Sequence, residues 1–305
     1  MADRLPKTLY HYCSIETFFH IIKTKAIWLS DIEKSNDSLE LQYLKKEYAK
    51  WAKIICHVFA DHQRKTNTPF DEKRLEALSS VLSDISSLTI TKTWVFCLSE
   101  KGDLLSQWRG YADDGYGVSI GFDARYLSNA IDAIAFSAGS PSTLFTLSKI
   151  IYSEKQMKDA VNNILRPLKC AECATLDELQ ENLTAPLSQI EPLSPFYKSE
   201  SFKEEKEWRI VCSALIENTC DYMKINKSNG LISLSNFDYI QSNKKLISHF
   251  ELGFMDLKKA VKKIILGPKC KITVEEMRYF LISMGLLNGM DDQNIEIATS
   301  SSSYR

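Results

Sequence analysis

Short runs of aromatic and β-branched residues punctuate the chain, and each reads as a strand: Tyr10 to Ser14, Ala26 to Ser30, Trp94 to Leu98, Val118 to Phe122, Trp208 to Leu215, Val261 to Leu266 and Ile295 to Ala298. Between them apolar residues recur at helical spacing. Ser14 is placed to cap a helix whose inner face is Ile15, Phe18, Phe19 and Ile22, with Thr17 where a capping box would hold an acid. Asn36-Asp37-Ser38 reads as a turn and cap before a helix running from Leu39 to about Ala60, its buried stripe being Leu41, Leu44, Tyr48, Trp51, Ile55 and Phe59. Asp71 to Leu88 repeats the pattern. Further helices are expected over Ala124 to Ile134, around Leu246 to Leu252, and from Val274 to Met284.

Strands separated by unequal helical stretches predict an α+β protein: a mixed, mainly antiparallel sheet core of about six to eight strands. Helical insertions are expected at about 38–92 and 154–195, within one domain spanning 1–305 that ends in a short serine-rich tail. At 44% hydrophobic and 25% charged residues the 305-residue chain has material for a sizeable core. A net charge of -1 gives no general attraction to nucleic acid or anionic membrane. The start lacks the apolar stretch of a secretory signal and no run is long enough to span a bilayer, so a cytoplasmic protein with no membrane partner is expected. The eight cysteines are scattered through apolar patterns, which suits reduced, buried thiols. Cys170-Ala171-Glu172-Cys173 lacks the second ligand pair that a zinc ribbon needs, and no metal is expected there.

Two segments concentrate chemistry. In Ser201 to Val211, charges run directly into an apolar strand; period two puts Glu205, Glu207 and Arg209 on one face and Lys206, Trp208 and Ile210 on the other. The two carboxylates would then stand about 7 Å apart along the strand. Such a run also suits a solvated edge whose lysines and arginine screen the acids. Gln107-Trp108-Arg109-Gly110-Tyr111 brings together an indole, a guanidinium and a phenol, either a packed Trp beside a surface Arg or a phosphate contact through the planar fork of Arg109. His11, on a short aromatic strand, stands apart from His20, His57, His62 and His249, which fall in helical patterns. The common nucleotide-loop, zinc-protease and serine-hydrolase motifs are absent.

Taken in order, Leu9-Tyr10-His11-Tyr12-Cys13-Ser14, Asn36-Asp37, Phe96-Cys97-Leu98-Ser99, Gln107-Trp108-Arg109-Gly110-Tyr111, Phe196-Tyr197-Lys198, Glu205-Lys206-Glu207-Trp208-Arg209 and Ile264-Ile265-Leu266-Gly267-Pro268 resemble a large bacterial family of unknown function over almost the whole length. Its members read L-Y-H-Y-x-S, W-x-x-Y, E-x-E-(Y/W)-R and I-I-x-G-P. Leu98 and Phe202 depart from its pattern. More distantly, a His-bearing first strand, a strand ending in Ser and a late strand headed by Glu are similar to the ADP-ribosyltransferase superfamily. That resemblance implies NAD as substrate and cofactor. His11 would orient it, with Ser14 helping at the turn, and Trp28 or Ser30 would line the nicotinamide pocket. Glu207 would be catalytic through an oxocarbenium-like transition state, and Glu205 would position the acceptor. Arg109 would contact the pyrophosphate, with Trp108 or Tyr111 packed near the cofactor.

The function expected on that resemblance is an ADP-ribosyltransferase-like effector of a bacterial toxin or phage-defence system, modifying a macromolecular acceptor and restrained by a partner protein. A metal-dependent nuclease using Asp37, Glu40, Glu205 and Glu207 is a second reading, and a non-catalytic sensor or partner-binding module a third. A pocket shared by His11 and Glu207 is what the transferase reading requires; side chains on opposite faces would count against it.

Overall fold

A computed structural model describes residues 4–34, 40–83, 91–137, 143–165, 173–215, 223, 225–242 and 245–304. Its strands are β1 (Thr8–Cys13), β2 (Ala26–Asp31), β3 (Thr91–Ser99), β4 (Val118–Asp123), β5 (Thr143–Lys149), β6 (Glu207–Leu215), β7 (Lys227–Ser228), β8 (Ile232–Ser242), β9 (Lys245–Phe254), β10 (Val261–Leu266) and β11 (Glu296–Thr299). The helices are α1 (Ile15–Thr24), α2 (Tyr43–Lys65), α3 (Glu72–Ser83), α4 (Leu105–Tyr111), α5 (Ala124–Ser137), α6 (Glu154–Leu165), α7 (Leu176–Thr184), α8 (Leu187–Leu193), α9 (Leu257–Ala260) and α10 (Val274–Ser283). The expected α+β class and mixed, mainly antiparallel sheet are what the chain forms. Among the described residues only the β10–β11 ladder is parallel.

Among the described residues eleven strands join one sheet in the order β11-β10-β4-β1-β3-β2-β9-β8-β7, with β6 on β3 and β5 on β6. This exceeds the expected number because β5, β7 and β8 were not foreseen and Leu246 to Leu252, expected as helix, lies in β9. Phe250, Leu252 and Phe254 alternate inward there, a period of two.

The branch at β3 shapes the molecule. One edge of β3 pairs with β6 along its whole length, from Thr91↔Leu215 to Ser99↔Glu207. The other edge is shared: β1 meets it at Tyr10↔Ser99, and β2 meets it at Ser30↔Val95 and Asp31↔Trp94. β1 and β2 therefore diverge around Phe96–Leu98. Helix α1 connects them, started by Ser14, whose side chain accepts from Thr17 N as expected.

Two apolar clusters flank the sheet. On one side Phe18, Ile21 and Ile22 of α1, Leu127 and Ile131 of α5, and Met277 and Leu281 of α10 close over Phe96, Leu98, Trp208 and Ile210. On the other, the two helical insertions merge: Tyr48, Ala52 and Phe59 of α2, Val161 of α6, Leu179 of α7 and Ile190 of α8 pack with Val95 and Val211. Lys45 and Glu191 form a buried ion pair across the insertions at 3.1 Å. Among the described residues no helix is long and apolar enough to cross a membrane.

Candidate functional site

The fork opens into a cleft of about 360 Å³ lined by His11, Glu16, Thr17, His20, Ile21, Ala26, Trp28, Ser30, Phe96 and Ile240. His11 stacks on Phe96 with ring centroids 4.1 Å apart, and its Nδ1–H donates to the Cys97 carbonyl at 2.9 Å. Nε2 is then a lone-pair acceptor. Burial drives the His11 pKa down to about 4 against the pull of that carbonyl, so the ring is neutral at physiological pH. Trp28 stands between two imidazoles, His20 of α1 at 4.5 Å and His249 of β9 at 4.4 Å. The sequence pattern did not single out these two histidines; α1 brings His20 into the cleft lining, and the β2–β9 pairing brings His249 against Trp28 without its lining the cleft.

A second polar group lies where β6 begins. Glu205 ends a 3-10 turn and Lys206, at φ 44°, turns the chain into β6, so Glu205 is not a strand residue as the period-two reading had it. The carboxylates are brought together instead by a lysine: Lys198 Nζ lies 2.8 Å from Glu205 Oε2 and 3.0 Å from Glu207 Oε2. Arg209 holds Glu207 in a fork, Nε to Oε1 at 2.7 Å and Nη2 to Oε2 at 3.1 Å, and donates to the Pro195 carbonyl at 2.8 Å. Tyr152 accepts the Glu207 N–H at 2.9 Å, and Tyr111 donates to Glu205 at 3.3 Å. The run is thus a buried network and not a solvated edge: Glu205, Glu207, Lys198 and Arg209 are all buried.

Electrostatics separate the two acids. Burial opposes the charge of Glu207, but Arg209, Lys198 and the Cys97 thiol outweigh it and bring the carboxyl down to about 2. For Glu205 burial wins over Lys198, and its pKa is raised. Cys97 is exposed, a correction to the expectation of uniformly buried thiols.

These two groups do not share a pocket. Tyr10, Ser99 and Glu207 are opposed across β1, β3 and β6 and project from one face, so His11, the next residue, projects from the other. Neither Glu205 nor Glu207 lines the cleft. The two groups approach at Cys97, through its carbonyl toward His11 and its thiol toward Glu207. Of the other expected cofactor residues, Trp28 and Ser30 line the cleft; Ser14 is the α1 cap and does not. Trp108 is fully buried against Tyr12 and pinned to Asp103 at 2.7 Å, while Arg109 lies over the Tyr304 ring at 5.8 Å. None of Trp108, Arg109 and Tyr111 lines the cleft, because α4 sits on the strand face carrying Tyr12. Asp37, Asn36 and Cys170 lie outside the described residues.

Residues 107–210 match the family model Protein of unknown function (DUF2971). The DUF2971 segment runs from α4 to β6, so it contains Trp108, Arg109, Tyr111, Lys198, Glu205, Glu207 and Arg209, and the cleft residues His11, Trp28 and Ser30 lie outside it. The resemblance of the sequence to a family of unknown function therefore holds over this segment. The chain matches no curated protein and no solved structure.

Proposed function

We propose that the protein binds a nucleotide-type ligand in the fork cleft, with NAD the leading candidate, and works as a binding or sensing module in which Glu205–Lys198–Glu207–Arg209 is a structural network. The observation that carries this reading is the convergence of His11, Trp28 and Ser30, from two strands, on one cleft that excludes both carboxylates. Its volume falls at the small end of the about 300–1,000 Å³ typical of ligand sites, suited to a base and sugar more than to a whole dinucleotide. Trp28 and Phe96 wall the cleft with aromatic surface, and neutral His11 offers an acceptor nitrogen to a ligand's N–H groups. Isothermal titration with NAD and nicotinamide mononucleotide tests it: binding weakened by Trp28→Ala and His11→Ala supports the reading, and the absence of binding refutes it.

One contact favours a second reading, transfer of ADP-ribose from NAD to a macromolecule in a toxin or defence setting. Cys97 touches both His11 and Glu207, so a ligand in the cleft lies one residue from an ionised carboxylate. Incubation with labelled NAD and cell lysate separates the readings. Label on protein or nucleic acid that disappears with Glu207→Gln supports transfer; binding without any consumption of NAD supports the module.

A further inference from the structure

We infer that a second cavity, where β1 begins and β4 ends, binds an anionic ligand through phosphate carrying two or more negative charges. It shares no residue with the fork cleft and does not depend on what that cleft holds. The cavity measures about 530 Å³ and is lined by Arg4, Leu5, Pro6, Lys7, Asp123 and Arg125. Arg4 and Lys7 come from the segment ahead of β1, and Arg125 from the first turn of α5, so the antiparallel β1–β4 pairing is what gathers the three cations.

The second observation is that these cations are unpaired. Among the described residues Arg4, Lys7 and Arg125 make no ion pair and no side-chain hydrogen bond. Elsewhere on the sheet Lys92, Lys149, Lys263 and Lys269 each hold a carboxylate at 2.9 Å or less. The one acid in the lining does not neutralise the cations. Asp123 Oδ1 accepts the Tyr126 N–H at 2.9 Å, which starts α5, and Asp123 forms no ion pair among the described residues. Like charges collected round one cavity repel each other, and an anion placed among them turns that repulsion into attraction.

The backbone carrying the cations is fixed. Thr8 is opposed to Asp123, and the Ala124 N–H donates to the Lys7 carbonyl at 3.2 Å, so Lys7 and Arg125 flank one tie between β1 and α5. Leu5 packs against the core and Pro6 has its φ locked by its ring, which anchors the chain beside Arg4. Two guanidinium forks suit the paired oxygens of an oxyanion, and the lysine adds a point charge. Phosphate concentrates nearly two negative charges and three acceptor oxygens in one group, a better match to three cations than a single carboxylate. The cavity lies within the about 300–1,000 Å³ of ligand sites, with room for whatever bears the phosphate. Only Leu5 and Pro6 in the lining are apolar, so binding is mainly electrostatic and weakens with salt.

Titration calorimetry of the full chain with inorganic pyrophosphate, ADP and citrate, at about 50 mM and about 300 mM KCl, tests this. The expected result is saturable pyrophosphate binding, weaker at the higher salt and reduced about 3–10-fold by each of Arg4→Gln, Lys7→Gln and Arg125→Gln. The triple variant should not bind. Asp123→Asn, which keeps an oxygen for the Tyr126 N–H while removing the opposing charge, should bind more tightly. ADP held more tightly than pyrophosphate identifies a nucleoside phosphate as the ligand, and equal affinity identifies the phosphate chain alone. Wild type with native near-UV circular dichroism that binds neither phosphate compound would overturn the proposal. So would pyrophosphate binding that survives in the triple variant, or citrate held as tightly as pyrophosphate. Because pyrophosphate has no ring to fill the fork cleft, failure of nicotinamide mononucleotide to bind there leaves this result untouched.

Discussion

At the scale of single residues, Lys198 decides the character of the charged cluster. It holds two carboxylates that burial would otherwise push toward protonation, and Arg209 completes the charge balance. Replacing it as Lys198→Met leaves Glu205 without its cation and Glu207 with one only; the expected loss is about 3–5 kcal/mol in urea unfolding. Acid acts on the same network. The Glu207 pKa falls from 4.5 to about 2 on folding, so its contribution is fully present above the unfolded value and is lost as pH drops from about 4.5 to about 2. The size of that contribution is on the order of 3 kcal/mol. Glu205, with its pKa raised, works the other way: its ionisation costs stability as pH rises through the folded value. Wild type should therefore lose more stability below pH 4.5 than Glu207→Gln does, measured by unfolding midpoints across the acid range; equal slopes would contradict the network. None of this was visible from Glu205-Lys206-Glu207 alone, since the cation comes from seven and nine positions upstream, across a 3-10 turn that period-two reasoning does not anticipate.

At the scale of elements, runs of β-branched and aromatic residues gave β2 and β10 nearly to the residue, and hydroxyl capping gave the start of α1. What failed was polar strand. In β8, Ser233, Ser235, Asn236 and Asp238 interrupt the apolar pattern, and a bulge breaks the alternation, so its register is set by β9 and not by its own sequence. β9 in turn was mistaken for helix because Leu246, Ile247 and Phe250 also fit helical spacing. Losing both strands hid His249 and the Ile240 wall of the cleft. Close approach explains the glycines in the turns after α4 and β10. A Cβ on Gly117 would stand 2.1 Å from the Cys13 carbonyl oxygen, and one on Gly267 would stand 2.3 Å from that of Gly115, whereas Gly110 has open space. Gly117→Ala should lower the thermal midpoint by several degrees, and Gly110→Ala, inside α4, should hold or raise it by about 0.5–1 kcal/mol of stability. Thermal denaturation of the two variants side by side checks the contrast.

At the scale of the whole molecule, one sheet supplies two environments. The fork of β1 and β2 from β3 makes room for a ligand under α1, and the intact β3–β6 pairing carries a charged network beneath the helical insertions. Sequence order placed His11 and Glu207 in a single constellation, whereas alternation along β1 and β6 sends them to opposite faces. We propose that function follows the cleft, and titration calorimetry of the full chain with NAD and nicotinamide mononucleotide examines that most directly. The account predicts saturable binding, weakened at least about 10-fold by Trp28→Ala through loss of the aromatic wall of the cleft, and unchanged in Tyr111→Phe, which alters only the charged cluster. Absence of binding, or binding lost in Tyr111→Phe and retained in Trp28→Ala, would contradict it.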